Sequence, residues 1–419
     1  MLKHGLALKG ILALVLLMSG LSALPTRAAD PVRIAFIDPL TGPFATTGIS
    51  GLRMFEYAAE TLVNEKGGVL GGRPFEIVPL DNQISPKESL IQLKRAISEG
   101  IRFIAQGNSS GVANALTDAV AKHNRRNPDQ RVLFLNYSAV DPALTNEKCN
   151  FWHFRFDANA DIKMDALTDV IADNQDVKKI YIIGQDYSFG KAVAAAAVKF
   201  LGEKRPDIEI VGNELHPIGK VKDFTPYATK IKSSGADAVI TGNWGADMVG
   251  LGKAIIEAGV SSPIYTYYAA WDGITATFGA QGEGIIRLVH EGRHNPPDPR
   301  FLELWAGFKE KYPENEVNQA RIFSTVEILA RAIEDARGTD PVKVAFALEG
   351  MEHESPLGGK LYMRPEDHQM IQDIHISVHT KEGIEVDADN SGYGLLAEST
   401  VEMAGMDSAT TCEMERPEG

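Results

Sequence analysis

The stretch "IAFIDPLTGPFATTGISGLRMFEYA", residues 34–58, decides how the chain is read. Its apolar run, Ile34 to Ile37, reads as a strand that breaks at Asp38-Pro39. A loop with Gly42-Pro43 and Gly48 follows, and then a helix expected over Gly51 to Lys66. A strand that feeds a helix through a glycine-bearing loop opens an α/β unit, and loops of this kind often cradle phosphate. This one lacks the means: no GxGxxG follows the strand, and no GxxxxGK[ST] occurs anywhere. The loop therefore belongs to an α/β fold that holds something other than a nucleotide.

The unit recurs. "FEIVPLDN" reads as a strand, Ser85 as the cap of a helix running to Glu99, "IRFIAQG" as a strand, Val112 to Asn124 as a helix and "RVLFLNYS" as a strand. The rhythm restarts after residue 155, with helices at Ala160 to Asn174, Gly190 to Leu201, Phe224 to Ser234 and Ala246 to Gly259. Between them lie the strands "VKKIYIIGQD", "DIEIVGNELH", "ADAVITGN" and "SPIYTYY". Strands that alternate with helices imply parallel sheets covered on both faces. A helical block follows: Phe301 to Lys311, Asn318 to Arg337 and Val342 to Glu349. "GKLYMRPEDHQMIQDIHISVHT" then alternates as antiparallel strands do, and the last thirty residues read as polar and irregular. No Pro/Gly/Ser linker separates the halves, so the late elements return to lobes already built, as in a hinged two-lobe molecule with ligand in the cleft.

The N-terminus reads as a cleavable signal peptide, residues 1–28: Lys3 and Lys9, the apolar "ILALVLLM", then Thr26-Arg27-Ala28. The chain carries 42 Lys and Arg against 56 Asp and Glu, a net charge of −14. Loss of Lys3, Lys9 and Arg27 with the signal takes the mature surface to about −17, which repels nucleic acid. The two cysteines, Cys149 and Cys412, suggest one disulfide in an oxidising compartment, with two free thiols as the alternative. Closing so long a loop contributes about 4 to 5 kcal/mol in the chain-entropy model. His290 and His294 stand at i and i+4, but the Gly and Pro residues around them argue for loop rather than a metal site.

Polar and aromatic residues gather at the ends of five expected strands. They are Asn108, Ser109 and Ser110; Tyr137 and Ser138; Asp186, Tyr187 and Phe189; Asn243 and Trp244; and Tyr268, Trp271 and Asp272. Carboxyl ends of strands are where open α/β sheets hold ligands, and the serines at a helix start suit a carboxylate. Capping explains one serine but not the run.

At these residues the chain resembles the type I periplasmic solute-binding proteins of the branched-chain amino acid (Leu/Ile/Val-binding) ABC transporter family. The resemblance rests on "IAFIDPLTGPFATTG", "NEKGGVLGGRPFEIV", "DNQISPKESL", "QGNSSGVANAL", "DPALT", "FWHFRFDAN", "GQDYSFGKA", "KIKSSGADAVITGNW" and "LGGKLYMRPEDHQM", in this order over residues 32–380. It implies an α/β fold of two Rossmann-like lobes joined by three crossover segments. Lobe 1 would hold residues 29–154 and about 290–356, lobe 2 residues 155–289 and about 357–385, and 386–419 would form a C-terminal tail. It implies no catalysis, no cofactor and no metal. The expected protein is a periplasmic monomer that captures a small solute by hinge closure and delivers it to ABC permease subunits in the inner membrane. A ligand-sensing protein that signals to a membrane receptor is the alternative.

The resemblance also assigns roles. Thr47 borders the pocket, and Ser109, Ser110 and the backbone around Ser138 and Ala139 take a carboxylate. Val140 stands where amino-acid binders place a threonine, Phe189 where they place a tyrosine, and Trp244 where a second-lobe tyrosine packs on the ligand. The acid that holds an ammonium falls at Trp271 or Asp272. A pocket walled by Tyr137, Phe189, Trp244 and Trp271 suits planar or cationic solutes: aromatic acids, amides or small amines as well as amino acids.

Overall fold

The computed structural model describes residues 30–270, 273–405 and 409–418, so the expected signal peptide lies outside it. The first half alternates β1 (Val32–Asp38), α1 (Ala45–Ala58), β2 (Phe75–Asp81), α2 (Pro86–Ser98), β3 (Phe103–Gln106), α3 (Ser110–Arg126), β4 (Leu133–Asn136) and β5 (His153–Arg155). Its strands form one parallel sheet in the order β2-β1-β3-β4-β5. The second half continues with α4 (Ala160–Asp173), β6 (Lys179–Gln185), α5 (Ser188–Lys204), β7 (Glu209–His216), α6 (Thr225–Ser234), β8 (Ala238–Thr241), α7 (Gly245–Glu257), β9 (Ile264–Thr266), α8 (Ile274–Phe278) and β10 (Ile286–His290). Three helices follow, α9 (Pro299–Lys311), α10 (Arg321–Asp335) and α11 (Pro341–Leu348), and then β11 (Glu352–Glu354), β12 (Lys360–Met363), β13 (Met370–Gln372), β14 (Ile374–Thr380) and β15 (Gly394–Val401). The second sheet runs β15-β14-β10-β9-β8-β6-β7, parallel from β10 to β7, with β14 and β15 added antiparallel. β11, β12 and β13 make a small antiparallel sheet.

Two of these elements differ from the sequence reading. α1 starts at Ala45, so Gly48 lies in the helix and not in the loop. A Cβ at Gly48 would stand 1.8 Å from the carbonyl oxygen of Pro39, so only glycine lets this helix press against the end of β1. The tail is not irregular throughout: β15 pairs with β14 and covers what would be an open sheet edge.

Packing divides the chain into cores. Residues from Val32 to Phe156 share a core with α9, α10, α11 and on to Met370, whereas Ala158 onward and Ile371 onward join the cores of the second lobe. The chain passes from one core to the other at Asp157, again between Val289 and Phe301, and a third time at Met370–Ile371. The first and third crossings are tied together. Arg155 Nε donates to Gln369 Oε1 at 2.8 Å, and the Gln369 amide donates to the carbonyl of Asp157 at 2.7 Å. After β15 the tail returns to lobe 1, where Thr410 Oγ1 donates to Thr145 O at 2.8 Å and Cys412 is disulfide-bonded to Cys149 with Cα atoms 5.7 Å apart.

Candidate functional site

A cavity lies where the carboxyl ends of the parallel strands of both sheets converge. Lobe 1 supplies Thr47 from the first turn of α1, Asn108 and Ser109 between β3 and α3, Ser110 at the start of α3, and Ser138, Ala139 and Val140 after β4. Lobe 2 supplies Tyr187 and Phe189 at the start of α5, Trp244 before α7, and Tyr268 after β9. Nine of the expected residues therefore come together: Thr47, Asn108, Ser109, Ser110, Ser138, Ala139, Tyr187, Phe189 and Trp244.

Three do not. Trp271 and Asp272 lie outside the described residues. Tyr137 is buried behind the wall, stacked on Phe36 and edge-on to Phe55, with its hydroxyl donating to Asp38 at 2.5 Å. It shapes the site from beneath and does not line it. The backbone amides of Ser138 and Ala139 also differ from the expected carboxylate donors, because both already donate to Asn136 Oδ1, at 3.2 and 2.7 Å. An amide that turns back to cap its own strand end has no second proton to offer a ligand.

The polar wall is organised from one buried acid. Asp38, at the end of β1, accepts from the backbone N–H groups of Gly107 (3.0 Å) and Asn108 (2.9 Å) and from the Tyr137 hydroxyl. Burial outweighs these bonds and pushes its pKa up to about 7. The bonds hold the turn into α3, where Ser109 sits at φ 79°, a strained value for a serine. The strain leaves the first turn of α3 aimed at the cavity. Ala113 is the residue whose N–H bonds back to Ser109 O, and the N–H groups before it are the positive end of a helix 17 residues long. Residues 107–111, GNSSG, also match the GxSxG pattern of a hydrolase nucleophile elbow, which the sequence reading overlooked. No histidine is among the described residues lining the cavity.

The opposite wall is aromatic. Phe189 meets Tyr187 and Tyr268 edge-on, at 6.0 and 5.8 Å between centroids. Trp244 Nε1 donates to the Tyr187 hydroxyl at 2.8 Å, and its ring lies 4.3 Å from that of Phe44, which reaches over from lobe 1. Gly245 follows at φ +58°, and a Cβ there would come within 2.7 Å of the Phe44 ring. The opening Gly-Pro loop thus carries Phe44 across the mouth of the cleft, and the lobes are closed on one another.

The sequence reading missed Asn318, Gln319 and Arg321, which line the cavity from the approach to α10. Asn318 and Gln319 read there as the start of a helix; in fact they precede it. The Arg321 side chain is 1% exposed and bonds Ser138 Oγ at 2.6 Å, Tyr137 O and Glu291 Oε1, with Asp157 at 3.3 Å. Lys163 lies 2.7 Å from Asp157 and 3.6 Å from Glu291, which closes a buried cluster of two cations and two anions on the crossing segments. Burial opposes every charge in it. Arg321 and Lys163 nevertheless hold Glu291 well below the usual carboxylate range, and Asp157 and Glu291 hold Arg321 charged. Elsewhere, burial keeps His290 and His294 well on the neutral side, the latter down to about 4. Among the described residues no group of three or more His, Cys, Asp or Glu could hold a metal ion, and no helix is long and apolar enough to cross a membrane.

Comparison with known proteins agrees with this architecture. A family model described as periplasmic binding protein matches residues 31–383. The Leu/Ile/Val-binding protein homolog 4 of Brucella abortus is 32% identical over 406 residues, 93% of this chain and 94% of that one. The leucine-, isoleucine-, valine-, threonine- and alanine-binding protein of Brucella ovis, crystallised in a closed conformation, superposes with a TM-score of 0.81 at 29% identity, covering 93% of this chain and all of that one. A solute-binding protein from R. palustris in complex with 4-hydroxybenzoate shares the fold, with a TM-score of 0.75 at 20% identity over 89% of this chain and 97% of that one. With two lobes, a closed cleft and a match over most of its length, the chain belongs to the periplasmic binding proteins, as a type I solute-binding protein of the branched-chain amino acid family.

Proposed function

We propose that the protein captures a small carboxylate-bearing solute with an apolar or aromatic body in the periplasm and delivers it to an ABC-type permease. The observation that carries this reading is the division of the cavity. The N-terminus of α3 with Ser109 and Ser110 faces Tyr187, Phe189, Trp244 and Tyr268 across one space. A helix N-terminus favours an anionic head group, and aromatic rings reward a flat or branched body once water has left. Leucine, isoleucine and valine, the solutes in the relatives' names, carry such a head group. The ligand docks on lobe 1, and Trp244 with its neighbours then closes over it. Closure follows only from the difference in contact between the open and closed forms.

A thermal-shift screen of the mature chain tests this with amino acids, aromatic acids including 4-hydroxybenzoate, and the corresponding amides and amines. A true ligand at 100 times its dissociation constant adds about 2.7 kcal/mol of stability. Stabilisation by amines or amides, with every carboxylate silent, overturns the reading. Ligand uptake into vesicles that carry an ABC permease of the branched-chain amino acid type tests delivery, and uptake that does not depend on the protein overturns it.

A further inference from the structure

We infer that Asn318 and Gln319 are specificity-determining residues, and that their side-chain carbonyls select a solute whose body bears an uncharged hydrogen-bond donor, a hydroxyl or a carboxamide, beside its carboxylate. The inference rests on the carboxylate reading above and adds to it. Asn318 is 1% exposed and Gln319 4%, and both line the cavity. Asn318 Oδ1 and Gln319 Oε1 are buried without a hydrogen-bond partner. A buried acceptor left unmatched is costly, so a site that keeps two of them discriminates for donors.

Their polarity is fixed by what stands behind them. The Asn318 amide nitrogen donates to the carbonyl oxygen of Thr47 at 3.3 Å, and a carbonyl accepts only, so the Asn318 oxygen is the free end. Gln319 is set by a relay. Asp38 accepts from two backbone amides and from the Tyr137 hydroxyl; the Tyr137 oxygen accepts from Asn108 Nδ2 at 3.2 Å; and Asn108 Oδ1 accepts from Gln319 Nε2 at 3.1 Å. Each bond forces the direction of the next, and the last free atom is Gln319 Oε1. The sites stand beside Asn108, one residue before the Ser109–Ser110 turn, so donor and acceptor functions share one wall. No carboxylate is among the described residues lining the cavity, so a cation would meet no counter-charge there, which points to a neutral donor.

The test is calorimetric titration of the full mature chain at pH 8, where Asp38 is ionised. The probes are benzoate and 4-methylpentanoate, each as the parent acid and as its hydroxyl, carbamoyl and amino derivatives. On at least one scaffold the hydroxyl or carbamoyl derivative should bind on the order of tenfold more tightly than the parent. Asn318→Leu and Gln319→Met should remove that gain, so that parent and derivative bind each variant with the same affinity. Gln319→Glu, which keeps an acceptor and adds charge, should move the preference to the amino derivative. If the parents bind and no derivative gains, or if the amino derivative is the tightest for the unaltered chain, the inference falls and the carboxylate reading stands. If the variants weaken all compounds alike, the two residues only support the wall and the inference falls. If no carboxylate of either series binds, both fall together.

Discussion

Two of the contacts between the lobes are of opposite kinds. At the mouth of the cleft Phe44 lies against Trp244, with Gly219 and Gly245 beneath the ring. At the crossings Asp157, Lys163, Glu291 and Arg321 are buried together, with side chains between 0 and 4% exposed. An apolar contact has no required orientation, so it can part and re-form as the cleft opens. A buried ion cluster tolerates only the arrangement in which every charge is matched. On the proposed closure, the mouth is the contact that parts and the crossings are the contact that holds, and the two can be broken separately.

The largest expected effect is at the hinge. Glu291→Gln leaves Arg321 and Lys163 facing Asp157 alone and should destabilise the fold by about 3–5 kcal/mol, read as a lowered melting temperature. Adding Lys163→Met restores neutrality and should recover part of the loss; strict additivity of the two would show that the cluster is not a unit. Removing the Cys149–Cys412 disulfide, which closes 263 residues of chain, should lower stability by about 2–4 kcal/mol in chemical denaturation. An unchanged midpoint after reduction would mean that the tail contributes nothing to the lobes.

At the mouth, Trp244→Ala removes the contact with Phe44 and the bond to Tyr187, and should weaken ligand binding by about 2 kcal/mol or more. Solution scattering should show that the variant fails to compact with ligand. Binding and compaction like the parent would make Trp244 a packing residue. Ser110→Ala removes a hydroxyl that also accepts from the Asp141 amide at 3.2 Å, and should weaken binding by about 1–2 kcal/mol in the same titration.

The last contrast is a slope with pH. Asp38 titrates at about 7 in the fold against 3.8 in the unfolded chain, because burial favours its neutral form. A carboxyl whose folded value is raised stabilises the fold below its unfolded value, and that contribution is lost as pH rises through the folded value. Melting temperature should thus fall between pH 4 and pH 7 on account of this group, and Asp38→Asn should flatten the fall. A parent and variant with parallel profiles would show that Asp38 stays ionised throughout.

These contrasts also mark what was legible beforehand. Strands such as "IAFID" and "KIYIIGQ" announce themselves because continuous apolar runs of that length fit only a covered parallel sheet. The Ser85 cap was legible as well, since its hydroxyl reaches the Glu88 amide within one turn. The serines and aromatics at the strand ends were legible because strand ends in such sheets converge. The start of α1 was not, because Gly48 sits in the helix for a contact with Pro39, a demand of packing that local propensity does not register. β15 was hidden for a similar reason: its pairing partner, β14, lies on the far side of a turn of polar residues.

The sequence by itself determined the α/β alternation, the two-lobed architecture and the strand ends that carry most of the cavity, because each follows from local periodicity and from motifs in order. Only the tertiary structure decided that Tyr137 stands behind the wall, that Phe44 crosses the cleft to Trp244, and that Asn318, Gln319 and Arg321 belong to the site. Gln319 and Asn108 bond across 211 positions, and Arg321 and Tyr137 across 184. The direction of such bonds depends on which groups meet in space, and the spacing of residues along the chain carries no record of that.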